Sequence, residues 1–64
     1  MDKKQEVEEV KENTKQAEGY VEAVKSGFRE IGDAEGEEKA DEALEKISEI
    51  REHVRKRTEE SSKP

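Results

Sequence analysis

The chain has 64 residues, 19 of them acidic and 13 basic, for a formal net charge of -6. Half of the residues are charged, 27% are hydrophobic, and cysteine and tryptophan are absent. Leu, Ile, Val and Phe together number ten, too few to line a sheet, which excludes a β-sandwich or an α/β domain. No apolar run exceeds two residues, so no segment can span a bilayer. Without cysteine there are no disulfides, thiol nucleophiles or thiolate metal sites. The opening segment MDKKQEVEEV is charged throughout and lacks the apolar stretch of a secretory leader, so a cytoplasmic location is expected.

The apolar residues are better ordered than the composition suggests. Val7, Val10, Thr14, Ala17, Val21, Val24, Phe28 and Ile31 follow one another in steps of three and four. This is an a/d heptad pattern, and it predicts a first helix over about 3–31. Gly19 and Gly27 fall inside it, each costing about 1 kcal/mol relative to alanine. They read as weak points on the solvent side. The sharper alternative is a close backbone approach, or a break near Ser26 and Gly27 that turns Phe28 onto another surface.

Gly32 follows the last periodic residue directly and suits the left-handed position that ends a helix. Asp33 is placed to cap the next one. The turn is expected over 32–35, and a connection this short makes the helices antiparallel neighbours. A second series, Ala40, Ala43, Ile47, Ile50 and Val54, predicts a helix over about 36–60. A frayed tail is expected over 61–64, beyond the loss of period. Seven acids and one base lie between Asp33 and Glu45, and Arg51, Arg55, Lys56 and Arg57 lie near the far end. Both clusters complement the dipole of the second helix. Glu35 with Lys39, Glu42 with Lys46 and Glu52 with Lys56 are spaced for i,i+4 ion pairs.

Pairing the two stripes sets Phe28 and Ile31 beside Ala40 and Leu44. Val21 and Val24 meet Ala43, Ile47 and Ile50, and Ala17 meets Val54. Thr14 and Val10 are left facing Arg57 and Thr58, so the expected core is concentrated towards the turn. It is small for an independent domain. Tyr20 at g and Leu44 at e widen the apolar stripe beyond what a two-helix seam uses. The fold expected is therefore a single all-α antiparallel two-helix hairpin that pairs into a homodimeric four-helix bundle.

Catalysis needs carboxylates with displaced pKa values in an enclosed pocket, and a hairpin encloses none. No enzyme activity and no cofactor are expected. His53 is the lone histidine, and carboxylates such as Glu49 would complete only a weak ligand set, so no metal is expected either. Arg51, Arg55, Lys56 and Arg57 form the one basic cluster, a candidate contact for phosphate or an acidic partner. Glu49, Glu52, Glu59 and Glu60 dilute it, and no aromatic lies within it to stack on a base. RNA or DNA binding through that cluster is a minor alternative, as is an acidic inhibitor that mimics nucleic acid on a partner protein. The negative net charge argues against an anionic membrane surface.

The principal expectation is protein–protein association, as an adaptor, regulator or assembly- or chaperone-type subunit. The candidate face comprises Tyr20, Val21, Val24, Phe28, Ile31, Leu44, Ile47, Ile50 and Val54. Its partner is a second copy of the chain, a helical groove on another protein, or both.

Overall fold

Asp33 serves two helices at once, and this sets the architecture. The computed structural model describes residues 3–62 and contains α1 (Lys3–Glu30) and α2 (Ala34–Ser62). At the end of α1 the Asp33 N–H donates to the Phe28 carbonyl at 2.9 Å and the Gly32 N–H donates to the Arg29 carbonyl at 3.1 Å. This is the Schellman pattern, and it requires the left-handed φ of +75° that Gly32 supplies without steric cost. In the next half-turn Asp33 caps α2. Its Oδ1 accepts from the Gly36 N–H at 2.8 Å, and its carbonyl accepts from the Glu37 N–H at 3.1 Å. Because Asp33 is the cap, α2 starts at Ala34 rather than at 36.

α1 runs unbroken through Gly19 and Gly27. Both glycines are exposed, and a Cβ built on either meets nothing within 4 Å. Phe28 is therefore not turned away at Gly27; its ring lies on Gly36 across the hairpin. At the other end, α2 stays helical through Ser62, so the expected fraying does not interrupt its backbone up to that point. Residues 63 and 64 of that expected tail lie outside the described residues.

The two helices pack along a narrow seam. With Val7 and Ala40 taken as a, the buried residues of α2 are Ala40, Ile47 and Val54, every seventh residue. Burial of Val54 extends the core well beyond the turn-proximal part. On α1 the half-buried residues are Val7, Thr14, Glu18, Val21, Lys25 and Phe28, which occupy a and e. The d residues Val10, Ala17, Val24 and Ile31 are exposed, and Ile31 keeps 75% of its surface. Ile31, Val24 and Ala17, expected beside Leu44, Ile47 and Val54, thus keep much of their surface open. Val54 lines grooves with Val7, Val10 and Thr14.

On α1 only the a/e flank is covered, whereas on α2 Ala43 at d and Leu44 at e are both half-buried beside the a residues. The α1 flank that closes is the one where charges match: Lys25 pairs with Asp41 at 2.6 Å, Arg29 with Glu37 at 2.7 Å and Glu18 with Arg51 at 2.9 Å. Where polar side chains enter the seam they bond inward. The Thr14 and Thr58 hydroxyls donate to the carbonyls of Val10 and Val54, one turn back, at 2.7 and 2.9 Å.

The molecule that results is a slab of 51 × 17 × 11 Å, one helix thick. Its radius of gyration is 14.9 Å, against about 11 Å for a compact domain of this length. It exposes 5342 Å², whereas a compact monomer of this mass exposes about 4,200 Å².

Candidate association surface

The hairpin has two unlike edges. One is the charge-stitched edge, formed by the e and b residues that make the three cross-helix ion pairs. The other is formed by d and g residues. It carries Val10, Ala17, Tyr20, Val24 and Ile31 from α1 and Ile50 from α2. Tyr20 and Ile31 are each 75% exposed, and Val10, Val24 and Ile50 about half. From Val10 to Ile31 this open edge extends about 32 Å along α1, at 1.5 Å per residue. These residues share one side of the hairpin, and exposed apolar side chains aligned on one side mark a candidate interaction site.

The nine apolar residues singled out by heptad position divide between the two surfaces. Ile47 and Val54 are buried in the seam, with Val21, Phe28 and Leu44 half-buried there. Tyr20, Val24, Ile31 and Ile50 stand on the open edge. Val10 and Ala17 belong to this edge as well, although sequence reasoning placed them in the intrachain pairing. Their d position was the available signal, since every d residue of α1 from Val10 onwards faces the same way.

Three of the four cations of the basic cluster are held by carboxylates, and Lys56 is exposed. Arg51 holds Glu18 across the seam, Arg55 lies between Glu52 and Glu59, and Arg57 holds Glu60 at 3.2 Å. The pairing also shows in the titration behaviour. The hydrogen bond and the charge of Arg55 hold the Glu52 carboxyl below the usual carboxylate range, and Glu52 raises Arg55 in turn. Glu37 raises Arg29 in the same way at the stitched edge. Along α2 the pairs form mostly at i,i+3 rather than at the expected i,i+4. Lys39 approaches Glu42, Lys46 approaches Glu49 and Glu52 is taken by Arg55.

His53 is exposed and lines an open groove with Glu6, Val10 and Arg57. Among the described residues no group of three His, Cys, Asp or Glu side chains is arranged to hold a metal ion. None of the described helices is long and apolar enough to cross a membrane. No family model, no curated protein and no solved structure matches the chain.

Proposed function

We propose that the protein is a non-enzymatic cytoplasmic association module, an adaptor, regulator or assembly-type subunit that docks its open d/g edge onto another helical surface. The observation that carries this reading is the continuous exposure of Val10, Ala17, Tyr20, Val24, Ile31 and Ile50 along one side of a layer only one helix thick. Burying a Val or Ile side chain contributes about 1.5–3 kcal/mol, so covering this row supplies the affinity. The mixed charges beside it then select partner and orientation. Engagement of Arg51, Arg55 and Arg57 by carboxylates weighs against phosphate binding, which needs cations able to replace counterions.

The test separates the open edge from the seam. Val24→Asp combined with Ile50→Asp places charge on the edge and leaves Ala40, Ile47 and Val54 in place. In sedimentation and thermal melting across a concentration series, the parent should associate and melt later at higher concentration. The double variant should stay helical and lose both properties. Parent and variant behaving alike would show that this edge is not a self-association surface.

A further inference from the structure

We infer that α1 has two closed positions on α2, and that the three cross-helix ion pairs hold it in the one seen here. When those pairs are screened, α1 rolls about its own axis by about 50°, half of the roughly 100° between successive residues. The roll exchanges the e flank for the d flank and draws Val10, Ala17, Val24 and Ile31 into the seam. Ionic strength thereby hides or presents the apolar edge, whatever that edge binds, so the device stands apart from the association reading.

The packing of α1 is inverted relative to its hydrophobic pattern. Val7, Thr14, Val21 and Phe28 at a are half-buried, as are Glu18 and Lys25 at e, while the apolar d residues are exposed. Charged side chains thus line the flank turned to α2, and Val24 and Ile31 keep 50% and 75% of their surface. Pairing accounts for this choice: Glu18 meets Arg51, Lys25 meets Asp41, and Arg29, at b, meets Glu37. In each pair one side chain is more than half exposed, so each is individually weak and weaker still in salt.

No residue of α1 is buried, so none is keyed into α2 deeply enough to bar the roll. Phe28, whose ring lies on Gly36, is an a residue and adjoins the seam in both positions. On α2 Ala43 and Gly36, both at d, are already half-buried and small enough to receive Val24 and Ile31. Small partners also limit the apolar gain, and three weak pairs then suffice to outweigh it. Two packings that differ so little in free energy form a switch.

The chain has no native cysteine, so Val24→Cys reads the d flank and Ser26→Cys, at an exposed f position, is the reference. Maleimide labelling is timed at about 0.01 M and about 1 M sodium chloride, where charges act over about 30 Å and about 3 Å. Circular dichroism and light scattering follow helix content and mass. At high salt the rate at position 24 should fall severalfold relative to position 26. Glu18→Gln, Glu37→Gln and Asp41→Asn, added together to the Val24→Cys chain, should give the same slow labelling at low salt. A relative rate at position 24 that stays level or rises with salt overturns the roll. If the triple variant loses its helices, the salt series decides alone. Protection that grows with protein concentration arises from association at the edge; it too overturns the roll, and it leaves the proposed function standing.

Discussion

The ring of Phe28 rests on the bare backbone of Gly36: a Cβ built on that glycine falls 2.5 Å from the ring's Cδ1. Gly36 sits in the first turn of α2, where Asp33 caps its N–H, and Phe28 lies in the last turn of α1. The absence of one methyl group thus lets two helix ends close over an aromatic ring. Gly36→Ala should destabilise the hairpin, because overpacking costs about 1–3 kcal/mol and exceeds the roughly 1 kcal/mol of helix propensity gained. Gly19→Ala, whose Cβ meets nothing, should stabilise it by about 0.5–1 kcal/mol. Urea unfolding of the two variants should therefore move in opposite directions. Equal shifts would mean that the ring yields to the added methyl freely.

Asp33→Ala removes the α2 cap, and caps of this kind contribute about 1 kcal/mol. Asp33→Asn keeps an acceptor for the Gly36 N–H and should retain most of that stability. Thermal melts of the two variants check the ordering, which fails if alanine and asparagine are equivalent.

The seam and the stitched edge should differ sharply in weight. Ile47→Ala opens a gap between buried neighbours and should cost about 2 kcal/mol, the lower end of the usual range, since solvent lies close on both sides. Replacing Glu18 and Arg51 together by alanine removes an exposed cross-helix pair, worth less than about 1 kcal/mol. A double-mutant cycle on that pair should give a small coupling that fades with added salt. Coupling as large as the Ile47→Ala effect would place the hairpin's stability in its charges.

The fold was largely legible in the residues because its signals were local. The step pattern marks both helices, and Gly32 with Asp33 marks the reversal. Which flank of each stripe closes was not legible in the same way. Val10, Ala17, Val24 and Ile31 obey the heptad as well as Val7, Val21 and Phe28 do. The flank that closes is the one where Lys25 meets Asp41, Arg29 meets Glu37 and Glu18 meets Arg51, contacts between residues 8 to 33 positions apart. The fit of Phe28 on Gly36 was equally hidden, since a glycine in a turn reads first as flexibility. At the candidate surface, Tyr20 outside the a/d pattern was the residue that signalled a second, wider face.

Acid should remove the Glu52–Arg55 interaction in a defined order. The folded carboxyl of Glu52 titrates below its usual range because Arg55 donates to it and carries the opposite charge. Its contribution is therefore complete above the ordinary carboxylate value and lost as the pH falls through the lowered one. Carbon-detected NMR titration should place Glu52 below the other glutamates, and Arg55→Ala should return it to them. A Glu52 midpoint unmoved by Arg55→Ala would show that the pair is not formed in solution.

Tyr20 is the chain's only tyrosine, and there is no tryptophan. Its ring stands 75% exposed midway along the open edge. The protein consequently carries a built-in optical reporter at the place where docking is expected, with a near-ultraviolet background supplied by Phe28 alone. Whatever covers that edge must change the absorption and circular dichroism of this one ring. Occupancy can be followed on the unlabelled chain, residue by residue in effect, because the spectrum contains only one phenol.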